Sequence, residues 1–125
     1  MNINEIKSDL QMKKFYFSNC SFSRDSVVED GEFSINLNKN ISSIGNHEYR
    51  VSLITLVEKD DMRLELTAQA DFLYEADDYS REETIINANT VAIMFPFVRS
   101  QVTLLTSQPG MAPIVLPTIN TQKFK

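Results

Sequence analysis

The fold turns on MRLELTAQADFLYEA, residues 62–76. Met62, Leu64, Leu66, Ala68, Ala70, Phe72, Tyr74 and Ala76 occupy every second position, and the residues between them are mostly polar. Successive side chains of a strand point to opposite faces, so period two over this length predicts one long strand that is apolar on one face.

Immediately upstream, residues 47–57 form a second run. Tyr49, Val51, Leu53 and Val57 share one face while Ile54 and Leu56 fall on the other, which predicts a strand covered on both sides for part of its length. Lys59, Asp60 and Asp61 separate the two runs with residues that suit a tight turn, so the strands are expected to pair as an antiparallel hairpin. Farther out, Phe33, Ile35 and Leu37 alternate with Ser34, Asn36 and Asn38, predicting a shorter strand that stops in the Asn/Ser-rich segment 38–46. Residues 11–22 are aromatic-rich enough for a first strand, although their alternation is imperfect. The polar, acidic segment 23–31 is too long for a tight hairpin. It suits a crossover over the sheet edge, which would leave the first two strands non-adjacent.

Downstream, Glu75, Asp77, Asp78, Glu82 and Glu83 make an acidic lead-in, and carboxylates favour the N-terminal end of a helix. Within residues 90–107, Val91, Phe95, Val98, Val102 and Leu105 recur at spacings of four and three, the pattern of one helix face docking on a sheet. Met94, Phe97 and Leu104 lie off that stripe. With Gln101 they are the candidate contact of a homo-oligomer, a dimer or tetramer, because the helix is apolar around more of its circumference than a monomer's surface helix should be. Pro96 must lie in the first turns or kink the helix, and Pro109 and Gly110 mark its end. Residues 111–125 read as extended and Pro-punctuated. The expected class is α+β, a four-stranded antiparallel sheet with a long helix packed on it, in a single domain spanning residues 1–125.

Composition narrows the function. The chain of 125 residues carries a formal net charge of -5, which repels phosphate backbones, and Lys13 and Lys14 are its only adjacent basic pair. Nucleic-acid binding is not expected. Residues 1–10, with Glu5 and Asp9, lack a basic region followed by an apolar one, so no secretory signal is read. The apolar stretch 91–98 is too short to span a bilayer. A cytoplasmic protein without membrane insertion is expected. Cys20 is the only cysteine, which excludes an intrachain disulfide and a cysteine-rich metal cage. The single histidine, His47, lies beside Glu48 and Tyr49, no G-x-S-x-G elbow occurs, and three glycines cannot furnish phosphate-cradling loops. Asp60 with Asp61 and Asp77 with Asp78 lack the spacing of a calcium loop. No catalytic residue, cofactor or metal ligand is therefore nominated, and the chain does not read as an enzyme.

The C-terminal third contains IMFPFVR at 93–99 and PGMAPIVLPTIN at 109–120. This resembles the signature of the SecB family of protein-export chaperones: Leu-Phe-Pro-Tyr-Ala-Arg opening a long helix, a Gly-Phe-Pro turn, and a Leu-x-Pro-x-Asn-Phe segment. Phe95, Pro96, Arg99, Pro113, Leu116, Pro117 and Asn120 match at the right spacing, with Phe97 in place of another aromatic. Residues 16–22 followed by 23–31 resemble the family's first strand and crossover loop.

The resemblance implies a holdase that keeps clients unfolded by burying their apolar segments in surface grooves, without nucleotide. The partner it implies is an unfolded or extended polypeptide. Carried onto this chain, the groove candidates are Phe22 by the crossover, Phe95 and Phe97 on the helix, and Met111, Ile114 and Leu116 in the tail. Family members continue into a second helix and an acidic, zinc-binding tail, whereas this chain has Thr121 in place of the motif's Phe and ends at Lys125 with basic residues. Glu65 retains part of the family's acidic sheet surface, but Asn19 stands where an acid is expected, which puts docking on the export motor ATPase in doubt. The implied chain is a divergent, C-terminally truncated member. Its client would be an export precursor or one dedicated antitoxin of a toxin-antitoxin system. The alternative is a protein of the same fold, for example from a phage or mobile element, that binds or inhibits one folded partner.

Overall fold

A computed structural model describes residues 9–120. The readings of residues 1–8 and 121–125 lie outside the described residues. Four strands, β1 (Leu10–Ser23), β2 (Ser34–Gly45), β3 (Glu48–Lys59) and β4 (Met62–Tyr74), are followed by one long helix, α1 (Glu82–Thr106). The sheet is antiparallel throughout, in the order β1-β4-β3-β2. The crossover after β1 thus carries the chain past two strand positions, as the length of its connection requires.

The alternation in residues 62–74 becomes the floor of the core: Met62, Leu64, Leu66, Ala68, Ala70, Phe72 and Tyr74 are all buried on the face that α1 covers. Val51, Leu53, Thr55 and Val57 of β3 share that face. Lys59 pairs with Met62 across the hairpin, and Asp60 takes a left-handed conformation (φ 53°) that Asp tolerates better than most residues.

β2 stops within residues 38–46 as expected, but only at Gly45, in register with β3 from Ser34–Glu58 to Ser43–Tyr49. Its Asn and Ser residues are the solvent half of one alternation, with Asn36, Asn38, Asn40 and Ser42 exposed and Ile35, Leu37 and Ile41 packed against the core. Pairing with an apolar neighbour thus outweighs low strand propensity. The helix begins at Glu82, so Glu82 and Glu83 of the acidic lead-in form its first turn, and buried Ile86 and Thr90 extend the docking stripe backwards from Val91 through Asn- and Thr-rich sequence. Of the two places open to Pro96, it takes the helix interior; the side chain is exposed, so the carbonyl that loses its donor lies on the solvent side.

The imperfect alternation of β1 has a cause. Two bulges, between Lys13 and Tyr16 and between Phe17 and Asn19, each insert one residue against β4, and Lys14 adopts φ 53° at the first. Met12, Phe17 and Phe22 consequently face the same side as their partners Phe72, Ala68 and Leu64. Ile54 and Leu56 lie on the opposite face, half-buried beside their neighbours in the sheet rather than under a second layer.

Candidate functional site

The helix crosses the sheet obliquely. Near its start, Lys39 of β2 donates from Nζ to Asn87 O at 2.7 Å, whereas farther along Gln101 lies 3.9 Å from Cys20 Sγ of β1. After the turn at Pro109 and Gly110 the chain doubles back along α1. Thr103 Oγ1 donates to Ile114 O (2.8 Å), Arg99 Nε donates to Leu116 O (3.0 Å), and Ile114 N donates to Thr106 Oγ1 (2.8 Å).

The crossover segment is fastened to that turn. Arg24 donates through Nη1 to Gly110 O at 2.8 Å and through Nη2 to Pro109 O, while Val28 N donates to Gly110 O at 2.9 Å. Val28 and Met111 form a single parallel bridge. Between these pieces lies a groove of about 200 Å³, lined by Val28, Gly31, Phe33, Lys59, Met111 and Ile114.

A second apolar surface runs from the β1 side of α1 at Phe97 onto its exposed face at Leu104, which shares a shallow depression with Arg99, Thr103 and Val115. Phe97 is 49% exposed and Leu104 67% exposed, with Gln101 half-buried between them. The ring of Phe97 lies 5.0 Å from that of Phe15, which in turn meets Phe17 edge-on at 5.3 Å. Phe15 and Phe17, two residues apart, share a face of β1, and the bulge between Lys13 and Tyr16 is what puts that face on the same side as Met12, toward the helix.

The structure thus divides the residues nominated from sequence. Phe97, Gln101 and Leu104 line one accessible helix surface, and Met111 borders the crossover groove, with Phe22 half-buried on β1. Met94, Phe95, Ile114 and Leu116 are buried in the chain's own core. Met94 faces the sheet because it follows Thr90 by four and precedes Val98 by four, so its place off the five-residue stripe was an artefact of starting that stripe too late. Phe15, Phe17 and Val115 were not nominated. Only the bulges, which no periodicity discloses, bring the two β1 aromatics to the surface beside α1.

His47, the one histidine, belongs to a polar latch at the helix start. Its Nδ1 lies 2.8 Å from Glu82 Oε1, its ring stacks on Tyr79 at 3.9 Å, and the Tyr49 hydroxyl donates to Glu82 Oε2. The Tyr49 bond, followed by that of His47, holds the Glu82 carboxyl below its usual range. In return the bond to Glu82, with burial and nearby carboxylates adding to it, pushes the Tyr49 phenol up to about 12. This arrangement ties the first turn of α1 to β3. Among the described residues, no group of three or more His, Cys, Asp or Glu side chains is placed to hold a metal ion. No helix among them is long and apolar enough to cross a membrane.

No protein-family model matches the chain, and no characterised protein matches it by sequence. Solved structures do. A SecB-like chaperone of Mycobacterium tuberculosis, captured with a ChAD peptide from the HigA1 antitoxin, superposes with a TM-score of 0.65 over 93% of this chain and 95% of that one, at 16% identity. A Streptococcus agalactiae protein of unknown function superposes with a TM-score of 0.55 at 8% identity, over 87% of this chain and 97% of that one. The fold is SecB-like, a four-stranded antiparallel sheet with one long helix.

Proposed function

We propose that this chain is a SecB-like chaperone subunit that holds extended or non-native polypeptide without nucleotide and without catalysing a reaction. The observation that carries the reading is the pair of apolar surfaces flanking α1, on a fold whose mycobacterial neighbour is seen bound to an antitoxin peptide. Client segments would lie against Met111 and the crossover. At the second surface, Phe97, Gln101 and Leu104 would meet a second copy, because clustered aromatic and aliphatic groups at this exposure are characteristic of contact surfaces. A dedicated antitoxin is the client class best supported by that neighbour.

The test is suppression of aggregation. Several unrelated unfolded proteins are diluted from denaturant with the chain present, light scattering is followed, and binding partners are captured from the native host in parallel. Reduced scattering with more than one client, or stoichiometric capture of one unfolded antitoxin, supports the reading. Failure on every client, with one folded partner captured instead, would establish an interaction or inhibitor protein that shares the fold.

A further inference from the structure

We propose that the edge of α1 carrying Arg99, Thr103 and Thr106 is a main-chain-reading subsite for extended polypeptide, filled here by the protein's own segment 113–117. This rests on the chaperone reading and specifies where a client backbone would lie.

The contacts are those of a bound peptide. Arg99 and Thr103 each donate to a backbone carbonyl, of Leu116 and Ile114, and Thr106 Oγ1 accepts the Ile114 N–H. The Thr106 hydroxyl also donates to Val102 O at 2.8 Å, which fixes its lone pair toward the incoming N–H. All three contacts reach the backbone and none reads a side chain, so any extended segment satisfies them. Alternation supplies the rest: Ile114 and Leu116 point into the core while Val115, between them, is 66% exposed. This is the division of labour by which extended peptides are recognised, with backbone bonds giving affinity and pockets for alternate side chains giving preference.

The present occupant uses the seat incompletely. Pro113 and Pro117 have no N–H to offer. Space of about 200 Å³ remains beneath Met111 to Val115, against the crossover. A client with apolar residues at alternate positions and no proline between them would match the same donors, fill the same pockets and add backbone bonds that the tail lacks.

The experiment uses the full chain and a fluorescein-labelled peptide alternating leucine and serine between lysine ends, read by anisotropy. Leu116→Ala loosens the tail without altering the donors, so the peptide is expected to bind about tenfold tighter, the gain when a seat open about a tenth of the time is freed. Adding Thr103→Val to that variant should reverse part of the gain. A synthetic peptide of residues 110–120 should displace the label, a readout that stands even if Leu116→Ala folds poorly. If the wild-type chain suppresses aggregation, but neither variant changes affinity and the 110–120 peptide does not compete, the inference is overturned while the chaperone reading stands. Absence of both peptide binding and aggregation suppression overturns both.

Discussion

The β3–β4 hairpin and the edge where the tail meets α1 are built on opposite principles. In the hairpin every residue from Glu48 to Lys59 is in register with a partner between Met62 and Leu73, and the core face is buried from Val51 to Val57 and from Met62 to Phe72. Along the tail, side chains of the helix supply the hydrogen bonds to the chain's extended backbone, and buried Ile114 and Leu116 flank exposed Val115. The first arrangement fixes a fold. The second holds a segment through helix side chains that bond its backbone, the arrangement on which the proposed client subsite rests.

The sharpest way to separate the two regions is to truncate one side chain in each. Leu66 is fully buried at the centre of β4, and Leu66→Ala is expected to cost about 3–5 kcal/mol through lost burial and the cavity left behind. Urea denaturation followed by circular dichroism measures it. Leu116 is equally buried, but its neighbours on the tail can move with it, so Leu116→Ala should cost less, about 2–3 kcal/mol at the low end of the same range. Equal losses at the two sites would mean that the tail is as integral to the core as β4, and would erase the contrast.

The same contrast explains what could be read from sequence. Period two in residues 62–74 is visible because a strand buried on one face must alternate, the helix stripe shows a comparable periodicity, and the hairpin and the crossover follow from the composition and length of the connections 59–61 and 23–31. The Asn and Ser of its solvent half leave the end of β2 readable only to within residues 38–46, and the apolar stripe of α1 reads from Val91 because Thr84, Asn87 and Asn89 mask Ile86. The bulges at Lys14 and Ser18 left no pattern, so Phe15 and Phe17 were not assigned to the surface beside Phe97. Of the tail residues nominated for a groove, Met111 and Ile114 do border the one beside the crossover, while Leu116 lies in the core, because apolar residues in an extended tail look alike whichever way they face. Only coordinates make that distinction.

The latch at the helix start offers a pH-dependent probe of how firmly α1 is tied to the hairpin side. Glu82 titrates below its ordinary value in the folded chain, so its contribution is fully present at neutral pH and is lost as pH falls below about 4.5, the unfolded carboxylate range. The Tyr49 phenol, pushed up to about 12, contributes below pH 10, the ordinary phenol value, and loses its contribution above it. Tyr49→Phe removes the hydrogen bond behind both shifts and is expected to cost about 1.5–3 kcal/mol at neutral pH, the range for bonds to charged groups. Its stability should also fall less steeply with acid. A variant that keeps the wild-type acid limb would assign that limb to other carboxylates, such as Asp71, which Arg50 holds low.

Thr55 tests the hairpin in the opposite direction. Its hydroxyl is buried on the core face of β3 and makes no hydrogen bond. Thr55→Val replaces an unsatisfied polar atom by a methyl group of similar shape, and is expected to stabilise the fold by about 1 kcal/mol. A loss of stability in the urea midpoint would show that the hydroxyl has a partner within the core.

The smallest effect on folding is expected at Leu104, and it isolates the surface from the scaffold. Because this side chain is 67% exposed on the solvent face of α1, Leu104→Asp should change unfolding free energy by no more than about 0.5 kcal/mol. The charge would nevertheless fall where a second copy is proposed to pack, beside Gln101 and Phe97, and a buried unpaired carboxylate is not tolerated at such a contact. Light scattering should therefore show a smaller species for the variant than for the wild-type chain, with unfolding otherwise unchanged. An unaltered assembly would move the self-contact off this face and leave Phe97 and Leu104 available to clients. A wild-type chain that is monomeric at micromolar concentration would remove the self-contact altogether, and both apolar surfaces beside α1 would then count as client surface.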